Sequence, residues 1–183
     1  SLKGFIVSFD AVIISDYNKG VCEKSIIEKA FESHYIKPLA GIRRNGKKVA
    51  IVGAGPAGLA AAEQLNKAGY QVNVYERDAA PGGLLRFGIP DFKLEKWVVE
   101  RRINLMKKEG VNFITNCNVG FDITSDKLLN EHDSLLLTGG ATIPRDVPVT
   151  GRNLKGVHFA MEFLTQQNKR VSDISFNEED ILA

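Results

Sequence analysis

The feature that most restricts how this chain can fold is residues 48–77, KVAIVGAGPAGLAAAEQLNKAGYQVNVYER. A short apolar run at 49–52 leads into Gly53, Gly55 and Gly58, in G-x-G-x-x-G spacing. An alanine-rich run of helix formers, 57–67, follows and is closed by Gly69. A second apolar run, 72–75, ends on Glu76. Strand, tight turn, helix and second strand in that order make a βαβ unit, whose two strands lie parallel. The chain is therefore of the α/β class. Each part of the fingerprint has a physical job in holding a dinucleotide. Gly53 permits the tight turn from strand to helix. Gly55 has no Cβ, so a pyrophosphate can come close to the backbone. Gly58 lets the helix pack on the strand. The helix start offers unpaired N–H groups and a partial positive charge to phosphate. Glu76 can accept hydrogen bonds from ribose hydroxyls. The same residues also allow a plainer reading, a glycine-rich turn with no ligand.

A length of 183 residues leaves room for one domain and a flank. With 44% hydrophobic and 25% charged residues, the composition is that of an ordinary soluble globular protein. A net charge of +2 argues for neither nucleic acid nor a membrane surface as a partner. No apolar run reaches the ~20 residues that span a bilayer, and residues 5–7 are too short for a signal-peptide core. Two cysteines, Cys22 and Cys117, make no disulfide or metal framework, which points to a reducing, intracellular compartment. The first residue is Ser, as in a processed chain or a cut piece.

Residues 2–20 read as β-rich, with an apolar run at 11–14 and a turn at 16–20. The piece FDAVIISDYNKG is locally similar to a strand and turn of ribokinase-like sugar kinases, without their anion hole or catalytic aspartate. Residues 23–35 suit a helix, and 43–48 a solvated basic linker. Gly82, Gly83 and Gly88 make 77–90 a loop. An amphipathic helix spans 97–109, with Val99, Ile103 and Met106 on its inner stripe and Gly110 at its end. Alternation over 111–118 suggests a strand, 125–131 a short helix, and 134–137 a buried strand. Residues 157–164 read as a helix with Val157, Ala160, Met161 and Leu164 on one face, and the chain turns polar from Thr165. His34, His132 and His158 are isolated, which fits structural or exposed roles.

GAGPAG at 53–58, followed by YERDAAPGGLLRFGIPDFKLEKWVVERR at 75–102 and LLLTGGATIPRDVPVTGRNLKGVHFAMEFLT at 135–165, resembles the small (β) subunit of glutamate synthase. The likeness includes the equivalent region of fused eukaryotic forms. The segment is also similar to related FAD-dependent pyridine nucleotide-disulphide oxidoreductase-like flavoproteins, such as the FAD/NADPH half of dihydropyrimidine dehydrogenase. The resemblance implies a Rossmann-like, three-layer FAD-binding domain, incomplete here, over 46–170. It is preceded by a strand-like and helical segment, 1–45, and followed by a connector, 171–183, to an NAD(P)H-binding domain. In such proteins NAD(P)H reduces FAD, and electrons pass through iron–sulfur clusters to FMN, where 2-iminoglutarate becomes glutamate. A large glutamate synthase subunit or domain is the implied partner, and the cytoplasm, or an organelle such as a plastid, the implied setting.

Carried over by matched position, Gly53, Gly55, Pro56, Ala57 and Gly58 would hold the FAD pyrophosphate and Glu76 the ribose. Arg77 would sit beside the adenosine. Gly83 and Leu84 would pass near the phosphates, with Arg86 and Lys93 toward the flavin side. The backbone of Val119 would meet adenine. Thr138, Gly139 and Gly140 would close on the phosphate loop. Arg77, Arg86, Lys93 and Arg145 also read as plain surface charges.

Two departures from the family matter. Cluster ligation needs several closely spaced cysteines, so no iron–sulfur cluster is expected in this chain. There is also a single nucleotide fingerprint, so the nicotinamide site is expected elsewhere and the isolated chain is expected to have little or no activity. Hydride transfer to a flavin needs no acid–base residue, and no catalytic residue is assigned. A non-catalytic binding module and a simple NAD-binding dehydrogenase remain as competing readings.

Overall fold

The computed structural model describes residues 37–172 together with Ser25, Lys29 and Ile181. The expected strand, turn and helix within 1–36, Cys22 and His34, and most of the connector 171–183 lie outside these residues. The chain divides into two compact units, Ser1–Leu39 and Ala40–Ala183, and the second is described here.

Four parallel strands form one sheet in the order β3-β2-β1-β4: β1 Lys48–Val52, β2 Gln71–Tyr75, β3 Asn112–Ile114 and β4 Ser134–Leu137. Among the described residues, five helices connect or flank them: α1 Pro56–Lys67, α2 Leu84–Phe87, α3 Lys96–Lys108, α4 Ser125–Glu131 and α5 Ala160–Val171. The register sets Val49 beside Val72 and Ile51 beside Val74. Because side chains alternate across a strand, these four valine and isoleucine residues point to one face. There they pack with Leu59 and Ala62 of α1 and with Val99, Ile103 and Met106 of α3. Ala50 and Tyr75 point to the other face and pack with Leu128 of α4. Two helical layers around a sheet give the expected three-layer Rossmann-like architecture.

The expected inner stripe of the long helix is buried, with Val99 at 5%, Ile103 at 0% and Met106 at 1% exposure. Glu63 of α1 pairs with Arg102 of α3 and with Lys67 one turn on. The Arg102 hydrogen bond, then that of Lys67, holds the Glu63 carboxyl below the usual carboxylate range.

Several elements differ from expectation, each for an identifiable reason. Within the loop 77–90, one helical turn, α2, forms. The strand expected over 111–118 is only three residues long. Asn116 takes a left-handed φ of 52°, and the amides of Asn116 and Cys117 donate to Asp78 and Glu76 carbonyls, beyond the ladder. The strand 134–137 is not buried. Among the described residues it pairs only with β1, at the end of the sheet, and Leu136 and Leu137 are 37% and 72% exposed. The last helix begins at Ala160 and runs into the polar residues as far as Val171. Its two buried polar side chains are partnered: Asn168 Nδ2 donates to the Phe87 carbonyl, and Gln166 Oε1 accepts from the Ile181 amide.

The basic linker is also more than solvated charge. The guanidinium of Arg44 donates to Asn66 Oδ1, to the Tyr70 carbonyl and to the Glu109 carbonyl. Asn66 Nδ2 donates to the same Glu109 oxygen at 3.1 Å. These carbonyls lie at the C-terminal ends of α1 and α3, where a cation complements the helix dipoles. Asn66 is fully buried, so its amide acts as a polar rivet between the two helices. Replacing it with alanine removes one of the two hydrogen bonds to the Glu109 carbonyl and one of the two made by Arg44 Nη1. Asn66→Ala is expected to cost about 1–3 kcal/mol, readable as a lower denaturant midpoint at unchanged slope.

Candidate functional site

The site is assembled from the segments that leave the carboxyl ends of the four strands, where parallel α/β sheets bind ligands. A cleft of about 520 Å³ opens there. Its floor is the turn between β1 and α1. Gly53 has φ +100°, and a Cβ on it would come 2.6 Å from the Thr138 carbonyl oxygen. A Cβ on Gly58 would lie 1.9 Å from the Gly53 carbonyl oxygen and 2.8 Å from Thr138 Oγ1. Both glycines are therefore required by packing alone. Gly55 is different. Its φ is −74°, and a Cβ on it would meet nothing within 4 Å. It is the N-cap of α1 and has no side chain to satisfy the first amides of the helix, and the first turn carries no acidic residue. The amides of Ala57 and Gly58 precede the first intrahelical acceptor, and Pro56 at the helix start has none to satisfy.

The turn is braced from three sides. Thr138 donates its amide to the Val52 carbonyl at 2.8 Å, and its Oγ1 sits 2.9 Å from both the Val52 and the Gly53 carbonyls. Gly82 donates to the Ala54 carbonyl, and Gly83, at φ +51°, packs so closely that a Cβ would fall 2.8 Å from Gly55 Cα. Glu76, 6% exposed, accepts the Ala54 amide on Oε2 at 2.7 Å and the Asp78 amide on Oε1 at 3.0 Å. Each carboxylate oxygen keeps a further lone pair, so Glu76 can accept two hydroxyls while it holds the turn.

Most of the residues singled out from the sequence meet in this cleft. Gly53, Gly55, Pro56 and Ala57 line it from the turn, and Glu76 and Arg77 from the end of β2. Gly83 and Leu84 line it from the start of α2, and Val119 from the segment after β3. Thr138, Gly139 and Gly140 line it from the end of β4. A Cβ on Gly139 or Gly140 would meet nothing within 4 Å. Gly58 lies beneath the turn rather than in the cleft. Two residues stand apart. Arg86 is 7% exposed, donates Nε to the Pro81 carbonyl and pairs with Glu100 at 2.5 Å, beside a separate depression. Its charge is spent on holding α2 against α3. Lys93 is exposed and does not line the cleft. Arg145 is exposed as well.

Other lining residues carried no sequence signal. Phe87 faces the cleft from the turn α2, and Met161 and Thr165 from α5. Cys117 and Asn118 border it where β3 has already ended. Burial, with help from Asp122, pushes the Cys117 thiol up, which keeps it a poor nucleophile near neutral pH. Burial, then the charges of Glu131 and Cys117, likewise raises the Tyr75 phenol. His132 is buried on the far side of the sheet, between the Leu128 carbonyl and the Asn73 side chain, in edge contact with the Tyr75 ring. Its role is structural, and His158 is exposed. Among the described residues, no group of three His, Cys, Asp or Glu is placed to hold a metal ion. No helix of the described residues is long and apolar enough to cross a membrane.

The arrangement therefore offers an anion seat, two spare acceptors on a buried carboxylate beside it, and open floor at Gly55 and Gly139. Residues 51–108 match the NAD(P)-binding Rossmann-like domain. The chain is 50% identical over 160 residues to the glutamate synthase (NADPH) small chain of Bacillus subtilis, covering 87% of this chain and 32% of that protein. It is 48% identical over 163 residues to the glutamate synthase (NADH) of Schizosaccharomyces pombe, of which it covers 8%. The chain thus spans about a third or less of the length of these relatives. Among solved structures, Mycobacterium tuberculosis FprA in complex with NADPH superposes with a TM-score of 0.59 at 28% identity, over 67% of this chain and 29% of FprA. The chain is thus similar to one segment of the glutamate synthase small chain, and within it residues 51–108 match a Rossmann-like domain.

Proposed function

We propose that this chain is the FAD-binding segment of an NAD(P)H-dependent oxidoreductase of the glutamate synthase type. The observation that carries this reading is Gly55. Packing accounts for the missing side chains at Gly53, Gly58 and Gly83, but not at Gly55, where a Cβ would fit freely. What excludes a side chain there is a ligand resting on the backbone. Gly139, open in the same way on the facing segment, has the same explanation. The residues fit a dinucleotide. The amide of Ala57, which lines the cleft ahead of any helical acceptor, receives the pyrophosphate, with the start of the helix behind it. Glu76 accepts the ribose hydroxyls, and Arg77, Val119 and their neighbours flank the adenosine. FAD is favoured over a bare nicotinamide nucleotide because the Gly82–Gly83 loop that braces Gly55 lies in one of the motif stretches that resemble glutamate synthase small chains.

When bound, FAD supplies the two-electron acceptor through which NAD(P)H would feed glutamate formation. The protein's part is to bind and orient it. Glu76 fixes the ribose end while locking the turn through Ala54, so cofactor placement and turn geometry are set by one carboxylate. Arg86, tied to Glu100 and Pro81, and the exposed Lys93 are left out of this assignment. The electron donor's own site, the large glutamate synthase subunit or domain as partner, and a cytoplasmic or organellar setting belong to the same proposal. A binding module without catalysis is the competing reading.

Two measurements test it. Purified chain, denatured and analysed by mass spectrometry, is expected to release FAD, or to take it up when FAD is added. Release of NAD or NADP with no FAD uptake would overturn the assignment. Gly55→Ala is expected to fold with little change in melting temperature yet lose nucleotide binding by more than about tenfold, since the added Cβ meets only the ligand. Gly58→Val is expected to unfold, because its side chain meets backbone.

A further inference from the structure

The cleft has a direction. Along the sheet it meets Cys117, Asn118 and Val119 after β3, then Glu76, Arg77 and Asp78 after β2, then the glycine turn after β1, then the segment after β4. Once phosphates sit at the turn and a ribose at Glu76, the second half of a dinucleotide must lie over β4. The chemistry of the two ends differs. The first carries a carboxylate, a guanidinium and side-chain amide and acid groups. The second presents Leu84, Phe87, Ala141 and Met161, with the hydroxyls of Thr142 and Thr165 among them. Apolar surface interspersed with hydroxyls suits a flat ring system on a polyol chain.

Helix α5 supplies the wall at this end. Met161, Thr165 and Asn168 stand at i, i+4 and i+7, which places them on one stripe. Asn168 is 3% exposed and donates to the Phe87 carbonyl at 3.1 Å and the Leu164 carbonyl at 2.9 Å. Phe87 itself faces the cleft, so this bond pins the stripe to the cleft rim. One and two turns earlier, Thr165 and Met161 then look into the open volume, and Met161 is left 42% exposed. An unbranched thioether is well suited to lie against an aromatic ring.

We infer that Met161 and Thr165 contact the non-adenosine half of the bound dinucleotide, the half that carries the flavin ring and its polyol chain. This rests on the FAD reading above. Met161 provides an apolar, polarizable face to the ring system. Thr165 offers its hydroxyl to the polyol. Asn168 is the positioning residue that fixes both.

The test is calorimetric titration of the 183-residue chain with ADP, which lacks the second half, and with FAD. Met161→Ala is expected to weaken FAD about five- to twentyfold, and Thr165→Val about two- to fivefold. ADP affinity is expected to stay within about twofold of the parent in both. Melting temperatures close to the parent's would show that the variants fold, and Met161→Leu, which keeps the apolar bulk, is expected to restore most of the FAD affinity. Equal weakening of ADP and FAD, or no change in FAD affinity with either variant, would overturn the assignment to α5 while leaving the dinucleotide reading intact. A parent chain that binds neither ADP nor FAD would overturn both.

Discussion

No side chain fits between Cα of Gly58 and the carbonyl of Gly53, where a Cβ would approach to 1.9 Å. That contact closes the turn between β1 and α1, and the rest of the unit is built to keep it closed. Thr138 reaches from β4 to the Val52 and Gly53 carbonyls. Glu76 reaches from β2 to the Ala54 amide, and Gly82 donates to the Ala54 carbonyl. Three segments distant in sequence thus converge on the three residues Val52, Gly53 and Ala54. The parallel sheet makes this possible, because it delivers the carboxyl ends of β1, β2 and β4 to the same edge. These bonds hold the turn closed without a ligand, and preorganisation of this kind is what lets a phosphate bind backbone amides without first ordering them.

The βαβ unit was legible from the sequence because every local signal agreed: apolar runs of strand length, alanine-rich helix formers and glycines at fixed offsets. The third layer was legible too, since Val99, Ile103 and Met106 recur at helical spacing and are all buried. What escaped was decided by tertiary bonds that leave no pattern. The alternation at 111–118 is genuine, but Asn116 and Cys117 give their amides to the segment after β2, which ends the strand early. The run at 134–137 looks like a core strand because it is uniformly apolar, yet apolar character says nothing about position in the sheet, and β4 has a neighbour on one side only among the described residues.

The candidate site shows the same division. Glycines required by steric contact and the carboxylate at the end of β2 could be found by spacing. The resemblance to glutamate synthase small chains added the Gly83, Val119 and Thr138 neighbourhoods, all of which border the cleft. It also carried over Arg86 and Lys93, which the geometry does not bring there. A guanidinium in a matched loop is as readily a fastener as a ligand contact, and Arg86 is fastened to Pro81 and Glu100. Conversely, α5 looked like a core helix fading into a polar connector. Only the buried bond from Asn168 to Phe87 turns Met161 and Thr165 toward the cleft, and Asn in a polar run gives no hint of it.

The central claim is that the backbone at Gly55 is bare because a nucleotide's phosphates rest on it. Amide chemical shifts measured while ADP is added to isotopically labelled chain test this most directly. The account predicts that the largest saturable shifts fall on Gly55, Ala57, Gly58 and Gly139, with smaller ones at Glu76 and Arg77. Binding that shifts amides elsewhere and leaves the turn unmoved would contradict it.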